Sequence, residues 1–299
     1  MDYMKETDEE EEIKNALSKE GYAFREAVRE KLQNLGWHPS TEYPYSLDNY
    51  LKGRIPVLRE PYAIDILGWK SVENTPNIGK KKMFLVIECK KGYQPMKKWV
   101  FLKTEKNRPC GFLCIENVGD MDNPTIIETT RKFNLKPEKA DIVITNNGIS
   151  FKKNKRELKS EGPDTGIYKA SNQVVHALFG IKKEVKDEFE TECIGSMITE
   201  VIFLPIVITN LPLHIADIQM KNTNDYTTLT DDTCKQSVAP WLIYNFPLPT
   251  YFHEYLTWYY DNYSQAYGQT FPFDKTVKKL PIVFLNLDHV ENFLNKVFP

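Results

Sequence analysis

Three charged residues interrupt two apolar segments that otherwise have the character of buried strands. Asp65 lies in residues 61–68, and Glu88 and Lys90 lie in residues 83–92. Both segments have the length and the β-branched and aromatic content of strands inside a sheet. Period-two alternation places Glu88 and Lys90 on the same face of the second segment. If the two segments pair as neighbouring strands, Asp65 joins them, and two carboxylates and one ammonium group converge.

This combination of side chains suits metal-assisted hydrolysis. A buried carboxylate costs several kcal/mol unless a cation or hydrogen bonds compensate its lost hydration. Two carboxylates can hold a hard cation such as Mg²⁺, which proteins commonly bind through one or two carboxylates together with substrate phosphate. A lysine beside them can orient a water molecule or stabilise charge on a phosphate. The alternative is a salt bridge at a strand edge between Glu88 and Lys90 or Lys91. Asp65 in the preceding strand favours the catalytic interpretation.

Asp65 followed by Glu88-Cys89-Lys90 resembles the PD-(D/E)xK nuclease signature, the metal centre of the restriction-endonuclease-like fold. The resemblance implies that Asp65 and Glu88 bind Mg²⁺, or Mn²⁺ as a substitute, and that the backbone carbonyl of Cys89 completes the shell. It also implies that Lys90 positions the attacking water. The chain departs from the family pattern in two ways: Ile64 replaces the proline, and the connection between the two strands is longer than a minimal hairpin.

The first helix is the element expected to bring a further acid to this centre. Apolar periodicity predicts a helix from about residue 13 to residue 35, ended by Gly36. Its apolar stripe comprises Ile13, Leu17, Phe24, Val28, Leu32 and Leu35. In the resembling family this helix often supplies an acidic residue. At 100° per residue, Glu20 falls at the margin of the stripe and Glu26 on the opposite side. Glu20 is therefore the predicted fourth catalytic residue, with Glu26 as the alternative and a solvated Glu20 as the other interpretation.

A basic segment follows the proposed centre. Residues 80–110 contain ten Lys and Arg against two acidic residues, Glu88 and Glu105. Phosphate-backbone binding needs such a positive surface, although solvated lysines around a loop give the same pattern. The candidate nucleic-acid contacts are Lys91, Lys97, Lys98 and Trp99. Trp99 is the candidate for stacking on a base, with packing in the core as the alternative.

The remaining elements are predicted from periodicity and turn residues. Residues 168–189 are predicted to form a second helix, on which Gln173 is expected to be exposed, although related nucleases often place a polar residue near the site there. Strands are predicted at 37–45, 112–118, 141–144, 198–209, 213–219, 241–246 and 282–287. A turn is predicted at 146–148, loops at 152–159 and 221–237, and a closing helix at 288–297. The aromatic residues of 251–267 are expected in the core, with an oligomer face or a base-stacking surface as the alternatives.

Composition indicates a folded, reduced protein. The 299 residues are 41% hydrophobic and 12% aromatic, which is typical of a globular chain. Five cysteines without framework spacing indicate a cytoplasmic setting, and Cys110 and Cys114 are interpreted as buried thiols. The acidic start does not resemble a signal peptide. The longest apolar run, 201–211, is too short to cross a bilayer.

The resemblance implies an α/β restriction-endonuclease-like fold, with a mixed central sheet flanked by helices. Residues 13–195 would form the nuclease core, and residues 196–299 would form a C-terminal α/β elaboration packed on it. Alternatively, both parts would belong to one continuous domain. The implied function is Mg²⁺-dependent hydrolysis of phosphodiester bonds in DNA, in defence against foreign DNA. The alternative is a non-catalytic or partner-activated nucleic-acid-binding subunit. The expected partners are DNA and a second copy or a partner subunit, with no membrane.

Overall fold

The computed structural model describes residues 11–12, 14, 17, 21–47, 62–73, 80–92, 97–103, 111–119, 126–131, 144–154, 157–160, 166–192, 198–218, 234–267 and 278–297. The helices are α1 (Tyr22–Asn34), α2 (Ile167–Glu192), α3 (Thr250–Tyr267) and α4 (Val290–Val297), the last preceded by a 3₁₀ turn at Leu287–His289. The strands are β1 (His38–Tyr45), β2 (Tyr62–Glu73), β3 (Lys80–Lys90), β4 (Lys97–Lys103), β5 (Phe112–Asn117), β6 (Ile126–Arg131), β7 (Ile144–Asn154), β8 (Glu157–Ser160), β9 (Ile198–Thr209), β10 (Leu213–Ile218), β11 (Cys234–Ala239), β12 (Trp241–Pro247) and β13 (Lys279–Asn286).

The described strands belong to one mixed sheet, so the protein is α/β with helices packed on its sheet. The main strand order is β1-β2-β3-β9-β13-β12-β7-β4-β10-β11, and the β5–β6 pair and β8 attach beside it. β1, β2 and β3 are antiparallel neighbours, whereas β9 runs parallel to β3. A parallel neighbour needs a long crossover, and α2 immediately precedes β9 along the chain. The sheet continues from β3 into β9 and β13, so it includes residues from both sides of position 195.

Strand β3 is buried on both faces, which explains its continuous apolar run. Phe84 and Val86 pack in one layer with Val174 and Leu178 of α2. Leu85 and Ile87 pack in the opposite layer, with α1 and α4. The helical members of that second layer are Phe24, Val28, Leu32, Val290, Phe293 and Leu294. The two layers hold the end of β3, where Glu88 and Lys90 lie, between α1 and α2.

Helix α1 differs from its predicted extent at Gly21. This residue has φ 83° and precedes the first residue of α1, while Gly36, with φ 76°, follows its end as predicted. Phe24, Val28 and Leu32 are buried, which confirms that part of the stripe. Leu17, by contrast, is 47% exposed. A left-handed residue breaks the helical phase, so the stripe does not continue through Gly21, and Glu20 lies outside the described residues.

Several loops predicted from composition are strands in the structure. Residues 146–148, predicted as a turn, lie inside β7. The pairing of β7 with β4 shifts register there, between Leu102 and Lys103 of β4. The Asn-Asn-Gly sequence therefore accompanies an irregularity of the strand and not a turn. Residues 152–154 and 157–159 belong to β7 and β8, and β11 begins at Cys234. The aromatic segment is helix α3, whose Phe252 and Tyr255 are buried as predicted. No helix among the described residues is long and apolar enough to cross a membrane.

Candidate metal centre

The β2–β3 hairpin brings Asp65 next to the Glu88-Cys89 peptide. Pairing between these strands includes Ile66 opposite Ile87, so Asp65 and Glu88 lie just beyond that pair. The backbone N–H of Cys89 donates a hydrogen bond of 2.8 Å to Oδ2 of Asp65. The strand pairing expected from the sequence is therefore present, and it places the two proposed metal-binding carboxylates at the same end of the hairpin.

A local irregularity at Asp65 takes its side chain out of the regular alternation of β2. Ile64 packs in the same core layer as Leu67, whereas Ile66 packs in the opposite layer. Strict alternation would put Ile64 and Ile66 on one face, so the phase changes around Asp65. On the adjacent strand, Glu42 has φ 49° at the position facing Asp65. Such irregularities re-aim single side chains and are frequent next to functional sites.

Lys90 lies between Glu88 and helix α2. Its Nζ donates one hydrogen bond to the Glu88 carboxylate and another, of 2.9 Å, to Oε1 of Gln173. Glu88 is 3% exposed and Gln173 is half-buried. The expectation that Gln173 is exposed is therefore wrong. It lies three residues after buried Ala170 and four before buried Ala177, a spacing that places it beside the packed face of the helix.

Burial controls the protonation of Glu88. Loss of hydration raises the pKa of Glu88 to about 7, with the nearby charge of Asp65 acting in the same direction and Lys90 and Arg25 opposing both. Burial and the charge of Glu88 also raise the pKa of the Tyr45 hydroxyl. Burial therefore favours the protonated form of Glu88 to a higher pH than at an exposed glutamate. A divalent cation would replace that proton by compensating the buried charge.

Helix α1 brings an arginine, not an acid, to Asp65. Nη1 of Arg25 lies 3.3 Å from Oδ1 of Asp65 and 2.9 Å from Oε1 of Glu42. Glu26, the alternative acidic ligand, is exposed and pairs with Arg29 on the same helix. This pairing does not support Glu26 as a ligand. Arg25 was missed because the sequence gives no sign of a contact across 40 residues, although it directly follows the buried Phe24.

The proposed base-stacking role of Trp99 is wrong. Trp99 is 2% exposed, and its ring meets that of Phe284 at 5.6 Å in an edge-to-face contact. Its strand, β4, lies between β7 and β10, so this side chain packs in the core and offers no face to a base.

The three candidate lysines differ in their relation to the site. Lys98 lies on β4, which is five positions from β3 in the strand order, and its side chain is half-exposed. It lies near His214, whose pKa is lowered first by burial and then by the charge of Lys98. The side chain of Lys97 lies outside the described part of the chain. Lys91 directly follows the site and precedes Gly92, which exchanges two hydrogen bonds with the side chain of Asn210. Among them, Lys91 is therefore the candidate phosphate contact adjacent to the carboxylates.

A second group of metal-ligating side chains lies at the opposite end of β9. Cys114, Glu116 and Glu200 place one ligand atom each within 4.8 Å of one another, and the Cys114 thiol is buried as predicted. Nζ of Lys81 lies 2.7 Å from Oε2 of Glu200, so this carboxylate already pairs with a positively charged side chain. One thiol and two carboxylates do not select a particular metal. Lys81 and Glu88 are seven positions apart on β3, roughly 23 Å along a strand, so the two groups are distinct.

The donors around Asp65 suit a hard cation. The N–H and C=O of one strand residue point towards the same neighbouring strand, so the Cys89 carbonyl is expected on the side of its N–H, towards Asp65. Two carboxylates and a carbonyl form an all-oxygen set, which favours Mg²⁺ or Mn²⁺ over softer metals.

Comparisons with models of known families, with curated proteins and with solved structures found no match to this chain.

Proposed function

We propose that this protein is a Mg²⁺-dependent nuclease of the restriction-endonuclease-like fold that hydrolyses phosphodiester bonds in DNA. The observation that carries the proposal is the convergence at the end of the β2–β3 hairpin. Asp65 is hydrogen-bonded to the backbone of Cys89, and Lys90 to the buried Glu88. The mixed sheet with helices on its faces is compatible with the fold that the sequence resemblance implies.

Asp65, Glu88 and the Cys89 carbonyl are the groups that would hold the cation. A bound Mg²⁺ lowers the pKa of a coordinated water and neutralises charge that develops on the phosphate. Lys90 has its ammonium anchored by Glu88 and Gln173, so it is oriented to donate a hydrogen bond to a water or a phosphate oxygen beside the carboxylates. Gln173 is a positioning residue, because it contacts Lys90 and fixes the direction of its ammonium group.

The alternative is a nucleic-acid-binding subunit that is silent until a partner arrives. The engagement of Asp65 by Arg25 and of Glu88 by Lys90 is compatible with this alternative, because each carboxylate already has a cationic partner. The presence of Asp65, Glu88 and Lys90 together favours an active enzyme, since a module that had lost catalysis would be expected to lack at least one of them. A cytoplasmic role in defence against foreign DNA, with a second copy or a partner subunit, belongs to the same proposal.

The test is cleavage of plasmid, single-stranded DNA and RNA by the purified protein, with Mg²⁺, Mn²⁺ or EDTA. We expect metal-dependent cleavage that falls by more than about a hundredfold in Asp65→Asn, since even the supporting partners of metal ligands are worth 10- to 100-fold. Asp217→Asn is the matched control, because Asp217 also pairs with a cation, Lys103 at 3.2 Å, but on β10. Cleavage that persists at the wild-type rate in Asp65→Asn would overturn the proposal.

A further inference from the structure

Arg25 is shared between two carboxylates on neighbouring strands. Its Nη1 lies 3.3 Å from Oδ1 of Asp65 and 2.9 Å from Oε1 of Glu42. The Arg25 side chain is only 13% exposed, whereas that of Glu42 is 58% exposed. One end of this bridge is therefore in the proposed metal centre, and the other end faces solvent.

The two oxygens of Asp65 have different partners. Oδ2 accepts the hydrogen bond from the Cys89 N–H, while Oδ1 accepts from Arg25. A cation that binds Asp65 through Oδ1 would share that oxygen with the guanidinium group. Two positive charges at one oxygen repel each other, so the arginine and the metal compete for Asp65.

Glu42 provides a second carboxylate partner for the guanidinium group of Arg25. It is the only non-glycine residue with positive φ among the described residues, with φ 49°, and it lies opposite Asp65. A non-glycine residue in this conformation is uncommon and typical of functional positions. The Tyr22 ring lies 4.7 Å from the Arg25 guanidinium carbon and adds a cation–π contact.

There is also room for the side chain to move. A solvent-open cavity of about 410 Å³ lies between the start of α1 and β1. Its described lining residues are Leu17, Tyr22, Ala23, Arg25, Glu26, Thr41 and Glu42. Among the described residues that line it, Arg25 is the only basic one. A guanidinium group that withdrew from Asp65 would enter this cavity while it kept its ion pair with Glu42.

We infer that Arg25 is a built-in counter-ion that Asp65 exchanges for the metal. In the metal-free protein Arg25 neutralises Asp65; when a divalent cation binds, Arg25 gives up Asp65 and is retained by Glu42 and Tyr22. This inference rests on the proposed metal centre, but it concerns how metal occupancy is controlled and not the hydrolysis itself. Arg25 would then set the Mg²⁺ concentration at which the site fills.

The exchange predicts opposite effects of two substitutions on metal affinity. Arg25→Gln removes the competitor, so Mg²⁺ should bind about tenfold more tightly, as expected for coupled charges in contact. Glu42→Gln removes the alternative partner, so Arg25 should remain on Asp65 and Mg²⁺ should bind more weakly. Arg29→Gln is the matched control, because it removes the same charge from the same helix at a side chain that pairs with Glu26.

The experiment is calorimetric titration of Mg²⁺ into each purified variant without nucleic acid, supported by the melting temperature with and without Mg²⁺. In the double variant Arg25→Gln/Glu42→Gln, the effect of Glu42→Gln should disappear, because no arginine remains to be redirected. An equal loss of affinity from Glu42→Gln in both backgrounds would mean that Glu42 acts on the metal directly, and it would overturn the exchange. Since Glu42 is exposed, Glu42→Gln remains informative even if Arg25→Gln does not fold.

Asp65→Asn separates this inference from the proposed function. If Asp65→Asn loses Mg²⁺ binding while Arg25→Gln and Arg29→Gln both bind like the wild type, the exchange is wrong and the metal centre stands. If Asp65→Asn binds Mg²⁺ like the wild type, the metal centre is wrong and the exchange is wrong with it. Tighter binding in Arg25→Gln alone, together with weaker binding in Glu42→Gln, supports the exchange.

Discussion

Lys90 Nζ lies 2.9 Å from Oε1 of Gln173, across 83 residues of sequence, so helix α2 contacts the proposed site directly. The other partner of Lys90 is Glu88, two residues earlier on the same strand. A lysine held by one partner can rotate about its flexible stem, whereas two acceptors on different elements restrict the direction of its ammonium group. The orientation of Lys90 therefore depends on how α2 packs on the sheet.

The first prediction concerns this contact. Gln173→Leu should lower kcat on the order of tenfold, the equivalent of one hydrogen bond to a charged group, and leave Mg²⁺ affinity unchanged. Gln173→Glu retains an acceptor oxygen and should restore most of the turnover. Gln33→Leu on α1 is the control, because Gln33 is exposed and its side-chain oxygen accepts a hydrogen bond from Arg29 and not from Lys90. Equal kcat in Gln173→Leu and the wild type would show that Lys90 does not need this partner.

The sequence predicted the β2–β3 pairing because two apolar runs with charged interruptions have few other ways to satisfy those charges. It did not predict the contacts of Arg25 or Gln173, which join residues 40 and 83 positions apart, because periodicity reports a helix face but not what that face meets. Trp99 was assigned to a nucleic-acid surface because lysines precede it. Within a strand, alternation lets a lysine and a tryptophan face opposite sides, and the sequence alone does not say which side is covered.

The second prediction concerns the pH dependence of stability. The pKa of Glu88 in the folded protein, about 7, lies above its ordinary value of 4.5, so the folded protein binds this proton more tightly than the unfolded chain does. The stabilising contribution is complete below about pH 4.5 and is lost as the pH rises through about 7. In EDTA, the metal-free protein should therefore lose roughly 3 kcal/mol of unfolding free energy between these pH values through this group.

Glu88→Gln should remove that loss, because the amide does not ionise. Thermal unfolding at pH 5 and pH 8 in EDTA checks this, with Glu26→Gln as an exposed control. Adding Mg²⁺ at pH 8 should raise the stability of the wild type, because the cation takes the place of the proton on Glu88. It should not raise the stability of Glu88→Gln. A wild-type melting temperature that rises from pH 5 to pH 8 in EDTA, with no such rise in Glu88→Gln, would contradict the burial argument.

The third prediction concerns the nucleic-acid surface. Lys91 follows the site directly, whereas Lys98 lies on β4, five positions from β3 in the strand order. Lys91→Gln should weaken binding to nucleic acid and reduce the slope of log affinity against log salt by about 1, as expected for one lost phosphate contact. Lys98→Gln, the matched control for charge, should leave that slope unchanged. The reverse result would move the nucleic-acid interface from the end of β3 to β4.

The fourth prediction concerns the backbone that carries Lys90 and Lys91. A Cβ added to Gly92 would lie 2.2 Å from Cδ2 of the buried Leu211, and Gly92 is also held by Asn210 at the end of β9. Gly92→Ala should therefore destabilise the protein by about 1–3 kcal/mol through overpacking, and it should shift the end of β3.

Truncating the residue that meets the new methyl group tests this mechanism. In Gly92→Ala/Leu211→Ala the clash is removed, so the double variant should be more stable than the sum of the two single effects predicts, with a coupling of about 1 kcal/mol or more. Gly68→Ala on β2 is the comparison, because its added Cβ would meet Leu85 at 3.7 Å, an ordinary contact. Additive losses measured by denaturant unfolding would show that the close approach to Leu211 does not account for the destabilisation by Gly92→Ala.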